Sequence, residues 1–231
     1  MLNSFGHDIW IADGSGAVAV AGFNYPTRMA VIRLSNDALF VWSPIPLTDE
    51  LHEQVTALGS VEHLIAPNTL HHLYLAEWKR AFPHARIHAA PGLQKKRPDL
   101  NLDEDLGDTP HPNWVGEIDQ IIMRGNAITT ELVFFHSKSG TVLFTDLLQH
   151  FPANWFSGWR KLVAKLDLMT EQEPSVPRKF RLAFTDRKAA RAALDHIMRW
   201  PVEKVLMAHG TPITENGHAF LKRAFRWLGR W

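Results

Sequence analysis

Two apolar runs in this chain each end on a side chain that can bind a metal or carry a proton. Thr141-Val142-Leu143-Phe144-Thr145 leads into Asp146, and Val205-Leu206-Met207-Ala208 leads into His209. Short apolar runs of this kind suit strands buried in the interior of a sheet. A polar residue at the C-terminal end of such a strand is where αβ folds place their chemistry. The pair therefore points to an αβ architecture and nominates one edge of it for function.

The rest of the chain supplies the elements around these two strands. His7 to Ala12 reads as a first strand. Met29–Leu34 and Ala38–Trp42 flank Ser35-Asn36-Asp37, a hairpin signal. Thr48 to Leu58 reads as a helix, with Thr48 able to cap it and Asp49 and Glu50 suited to its N-terminal dipole. Val61–Ala66 and Arg86–Ala90 are short strands on either side of a helix expected over Leu70–Phe82. Lys95 to Trp114, with three prolines, reads as a long surface connection. Glu117–Met123 resumes regular structure, and Glu131–Phe135 and Thr141–Thr145 form a second hairpin. Phe156–Leu166, Arg187–Arg199 and Gly217–Leu228 read as helices, the last two separated by the strand Val202–Ala208. This order suits two mixed sheets packed face to face with helices outside, in one domain spanning Met1–Trp231.

Composition removes several classes of function. With 231 residues and 45% hydrophobic content the chain can bury a sizeable core. A net charge of +1 gives no general attraction to nucleic acid, and none is expected as a partner. There is no cysteine, so disulfides, thiolate ligands and cysteine nucleophiles are excluded. Any metal must sit on His, Asp or Glu. The start of the chain lacks the basic and apolar regions of a signal peptide, no run reaches the length of a membrane span, and a cytoplasmic setting is expected. In the last helix Lys222, Arg226 and Arg230 lie opposite Phe220, Ala224, Trp227, Leu228 and Trp231. Its apolar face is expected to dock on a sheet, without membrane contact.

Three further segments complete a resemblance: Leu64-Ile65-Ala66-Pro67-Asn68 with His71-His72, Phe135-His136-Ser137-Lys138-Ser139-Gly140, and Leu143-Phe144-Thr145-Asp146-Leu147. With the element order, they resemble the metallo-β-lactamase superfamily, and within it a branch of unknown function. The resemblance implies an αββα four-layer sandwich. It also implies a metal site built from an HxHxDH loop, a second His, a bridging Asp and a last His.

Measured against that pattern the ligands are unevenly kept. With a one-residue deletion, Asn68 stands at the first His position, Leu70 at the second, His71 at the Asp, and His72 at the final His. Gly125-Asn126 replaces the usual Gly-His, while Asp146 and His209 match the bridging Asp and the last His. The resemblance thus implies one metal on His72, Asp146 and His209, with His71 as auxiliary ligand or base. Asn68 and Asn126 would line a substrate pocket. Two or three imidazoles and a carboxylate suffice for one Zn²⁺, Fe²⁺ or Mn²⁺. The expected activity is mononuclear metal-dependent hydrolysis of an ester, amide or phosphoester with a small-molecule substrate. The rival expectation is a metal-free binding or scaffold protein, its site emptied by these replacements.

Geometry separates other candidates. In the second hairpin His136 faces Thr141, five residues before Asp146, or roughly 16–17 Å at the strand rise. It belongs at the opposite end of the sheet. Glu131 is opposite Asp146 and could approach the site, but a surface position is expected for it. Phe151, Trp155, Phe156 and Trp159 either wall a pocket or pack the helix that begins there.

Overall fold

A computed structural model of the chain describes residues 1–229, without the side chains of Val20 and Glu104. Arg230 and Trp231, expected at the end of the last helix, lie outside the described residues. Among the described residues eleven strands form two sheets. The first sheet runs in chain order: β1 (Asn3–Gly6), β2 (Ile9–Val18), β3 (Asn24–Arg33), β4 (Ala38–Trp42), β5 (Ser60–Ala66), β6 (Arg86–Ala89) and β7 (Glu104–Asp105). The second has the order β11 (Lys204–His209), β10 (Thr141–Gln149), β9 (Glu131–His136), β8 (Ile118–Met123).

Strand alternation divides the apolar residues between two layers. Ala30 and Ile32 of β3, Phe40 and Trp42 of β4, Phe134 of β9, Leu143 of β10 and Leu206 of β11 meet between the sheets. Their neighbours point outward. Met29, Val31, Leu39 and Val41 pack under α1 (Asp49–Thr56), α2 (Leu75–Ala81) and α3 (Leu93–Lys96). Val133, Phe135, Val142, Phe144 and Met207 pack under α5 (Arg178–Ala183), α6 (Arg187–Ile197) and α7 (Gly217–Ala224). Helix, sheet, sheet, helix is the four-layer order expected from the sequence. In α7, Phe220, Leu221 and Ala224 are buried, as its apolar face required.

Local chemistry accounts for the boundaries. The first hairpin turns where Asp37 takes φ 63 and Asn36 accepts the N–H of Ala38 through its side chain. Thr48 Oγ1 accepts the N–H of Leu51 at 3.2 Å and starts α1. The helix expected from Leu70 begins only at Leu75, because Asn68 Oδ1 accepts the N–H groups of Leu70 and His71 and holds a turn there. The stretch after α3 carries β7 and buries Leu100, Leu106 and Trp114. α4 (Gly158–Leu166) covers a smaller cluster of Phe151, Phe156, Ala164 and Met169.

β4 and β5 are parallel, as are β10 and β11. Their C-terminal ends deliver Ser43, Asn68, Asp146 and His209 to the same edge of the two sheets. His136 pairs with Thr141 at the start of β10, away from that edge, as the spacing required.

Candidate functional site

At that edge the Nε2 atoms of His71 and His209 close on opposite oxygens of the Asp146 carboxylate, at 3.3 and 3.4 Å. Among the described residues these three form the group whose ligand atoms lie within 4.8 Å of one another. Each member is fixed by a second partner. His209 Nδ1 lies 2.7 Å from the carbonyl oxygen of Pro26. A carbonyl only accepts, so Nδ1 carries a proton and donates to Pro26 O, which leaves Nε2 facing Asp146. His71 Nδ1 lies 2.7 Å from Ser43 Oγ, and Ser43 holds a left-handed φ of 52, a conformation rare outside glycine. Asn68 donates to Asp146 Oδ2 at 2.7 Å and to Thr145 Oγ1 at 2.8 Å.

Glu131 sets the direction of Asp146. The β9–β10 ladder runs from Thr141 to Leu143, and the β10–β11 register breaks after Phe144. Beyond these points the Glu131 carboxylate accepts the N–H groups of Thr145, Asp146 and Leu147 at 2.7, 2.9 and 3.1 Å. It takes the place of a partner strand exactly where the chain bulges toward the site. Glu131 is fully buried, which overturns its expected surface position: three buried N–H groups need an acceptor and water cannot reach them. Burial, and then repulsion from Asp146, pushes its carboxyl up to about 7.

The three ligand groups are so placed that they could hold a cation between them. Burial pushes the His71 imidazole down, toward the neutral form. Burial also opposes the Asp146 charge, but His71 and His209 outweigh it and hold the carboxyl well below its usual range. An ionised carboxylate facing imidazole nitrogens fits either a shared proton or a divalent metal. The donor set of two imidazoles and one carboxylate suits Zn²⁺ or Fe²⁺. A ligating His that donates its other N–H to a backbone carbonyl, as His209 can, is the usual arrangement around such ions.

The remaining expected site residues lie outside this group, although His72 lines the same cavity. His72 does not join Asp146 and His209; His71 takes that place. Adjacent side chains in the turn held by Asn68 diverge, and His72 Nδ1 sits 3.0 Å from Arg97. Burial and the Lys96 and Arg97 cations push its imidazole down to about 4. Asn68 does not line the pocket as expected but is buried behind Asp146. Asn126 is also absent from the pocket wall; it donates to Phe180 O and accepts from Ile128 N, tying a turn to α5.

The three ligand groups open into a cavity of about 860 Å³. Phe23, Tyr25, Leu73, Ile128, Val163 and Leu166 form much of its apolar wall. Lys179 is a cation in that wall, with Nζ 3.0 Å from Tyr25 Oη and 3.5 Å from Asp167. Burial works against its charge, but Tyr25, Asp167 and Asp146 outweigh it and hold the amine above its ordinary range. Of the aromatic residues after Asp146, Phe151 and Phe156 are core and Trp155 and Trp159 are exposed. Ser43, Tyr25 and Lys179 are not singled out by the sequence. Ser43, a polar residue directly after a buried strand, carried the same signal as Asp146.

Solved structures with this fold confirm the architecture. The chain is similar to the mono-zinc form of the metallo-β-lactamase FIM-1 from Pseudomonas aeruginosa, at 13% identity and a TM-score of 0.63, over 99% of this chain and 94% of that one. A metallo-β-lactamase from Pontibacter korlensis gives 12% identity and a TM-score of 0.64, over 99% and 98%. The metal-soaked flavodiiron core Flv1 from Synechocystis sp. PCC6803 gives 14% identity and a TM-score of 0.60, over 99% of this chain and 60% of that one. No curated protein matches by sequence. The fold is that of the metallo-β-lactamases, and by the match of residues 7–155 the chain belongs to the family described as Domain of unknown function (DUF4336).

Proposed function

We propose that the protein is a divergent, mononuclear metal-dependent hydrolase acting on an ester, amide or phosphoester. One observation carries the reading: two imidazoles and a carboxylate converge at the floor of a large apolar cavity, each already held by a second partner. His71, Asp146 and His209 would hold the ion. A divalent metal there supplies Lewis acidity toward an oxygen of the substrate. The chain's own residues do the rest. Pro26 O and Ser43 Oγ orient the two imidazoles, and Asn68 and Glu131 orient the carboxylate. The apolar walls exclude water from the substrate, and Lys179 offers a charge to an anionic group on it.

The test is metal content of freshly purified protein by mass spectrometry, beside His71→Ala, His72→Ala and His209→Ala. The expected result is about one Zn, Fe or Mn per chain, lost with His71→Ala and His209→Ala and kept with His72→Ala. Protein that holds no metal and takes none up on addition would overturn the reading in favour of a metal-free binding protein.

A further inference from the structure

The outer face of α4 reverses the rule for a surface helix. Trp159, Leu162, Val163 and Leu166 follow at i, i+3, i+4 and i+7, the spacing of a core-facing stripe. In this fold they are 55%, 61%, 41% and 55% exposed, and the buried residue of the helix is Ala164. The exposure is not scattered. Of twelve exposed large apolar side chains among the described residues, seven line the cavity: Val18, Leu70, Leu73, Ile128, Val163, Leu166 and Leu182. Single exposed apolar residues need no explanation, but a contiguous apolar rim around a cavity marks an interaction surface.

Charge identifies the partner. α4 and α5, on two sides of the cavity, carry Arg160, Lys161, Lys165, Arg178, Lys179 and Arg181 and no acidic residue; Asp167, the residue after α4, pairs with Lys179 and leaves the other five cations. The whole chain has a net charge of only +1, so positive charge is concentrated beside the apolar rim. Arg160 stacks on Trp159 at 4.9 Å and donates to Ala21 O at 2.9 Å, fixing α4 against the turn between β2 and β3. An apolar stripe with a Trp, flanked by Lys and Arg, fits the interface of an anionic bilayer. A protein partner of matching shape would also need acidic groups around its own apolar patch; a bilayer of anionic lipid supplies both features without specific shape.

We propose that this face docks on an anionic lipid surface and that the cavity receives an acyl-chain amphiphile from it. The docking surface is distinct from α7, whose apolar side is buried against the sheet. The assignment of the amphiphile rests on the cavity being the substrate pocket; the docking itself does not depend on a metal.

The experiment is sedimentation with vesicles of phosphatidylcholine, with and without phosphatidylglycerol, in the presence of a chelator. Chelation keeps the result separate from the hydrolase reading, which the metal analysis tests. One variant combines Trp159→Ser, Leu162→Ser and Leu166→Ser; the other combines Lys161→Glu and Lys165→Glu. All five positions are exposed, and the melting temperature of each variant checks that it folds, since Trp159 also stacks with Arg160 and Phe23. The expected result is binding to the anionic vesicles that weakens roughly tenfold or more in each variant. Absence of binding, or binding that neither variant weakens, overturns the proposal. A concentration-dependent dimer abolished by the triple variant, without vesicle binding, overturns it and assigns the face to a second copy of the chain.

Discussion

Replacing Glu131 with Gln tests the argument that a side chain completes the second sheet. In the native chain Oε1 accepts the N–H of Thr145, and Oε2 accepts those of Asp146 and Leu147. Gln keeps one oxygen. If that oxygen takes the two donors of Oε2, its NH₂ group must face the N–H of Thr145. One buried donor then loses its acceptor and meets a second donor. A buried unsatisfied donor costs about 1–3 kcal/mol, and bonds to a charged acceptor are worth more than those to a neutral amide. Against this, removing a buried carboxylate relieves part of its desolvation cost. The net expectation is a loss of about 2 kcal/mol, or roughly 4–8 °C in melting temperature for a chain of this size. Glu131→Leu, which leaves three donors without an acceptor, should cost more than Gln. Urea unfolding of the three proteins measures both differences. A Gln variant within about 0.5 kcal/mol of wild type, or a Leu variant more stable than the Gln variant, would refute the reasoning.

Two further outcomes follow from the same kind of accounting. Burial pushes His63, His88 and His136 down to about 4, 3 and 4. The unfolded chain therefore takes up protons below pH 6.5 that the folded chain refuses, and stability falls with pH by up to ~1.4 kcal/mol per unit for each histidine until the folded pKa is reached; a urea midpoint unchanged between neutral pH and about pH 5 would contradict this. Gly125 has φ +84, and a Cβ there would stand 2.4 Å from the Asp186 carbonyl oxygen, so Gly125→Ala should cost at least ~2 kcal/mol in the same assay.

The layers were legible because their cause is local. Alternation in Met29–Arg33 and Ala38–Trp42 assigns each side chain to one of two cores before any partner is known. The Ser35-Asn36-Asp37 turn then fixes their pairing. Local patterns failed where a distant or competing group supplied a hydrogen bond. Leu70–Tyr74 has helix-like spacing, but Asn68 captures the N–H groups that would begin the helix. β10 runs past its expected end to Gln149 because Glu131 satisfies three of its donors. The short helix α5 follows Pro177 with too few residues to show a period.

The same distinction explains why the sequence points to His72 as a ligand where the fold brings His71 to Asp146 and His209. Both follow β5, and a one-residue difference reverses which one faces inward. The choice is made by groups remote in the chain: Ser43 Oγ pairs with the far nitrogen of His71, and Arg97 donates to His72 Nδ1. Asn68 has a similar history. Measured against the HxHxDH pattern, an Asn at the first His position is a lost ligand. In the fold its amide donates to Asp146 while its oxygen holds the turn that carries His71. One residue thus positions two of the three proposed ligands. A site emptied by drift would have no reason to keep its carboxylate and both imidazoles individually oriented. The partners of Asp146, His71 and His209 favour a reduced site over a vacant one. That is why metal content, rather than the count of lost histidines, separates the hydrolase from the scaffold.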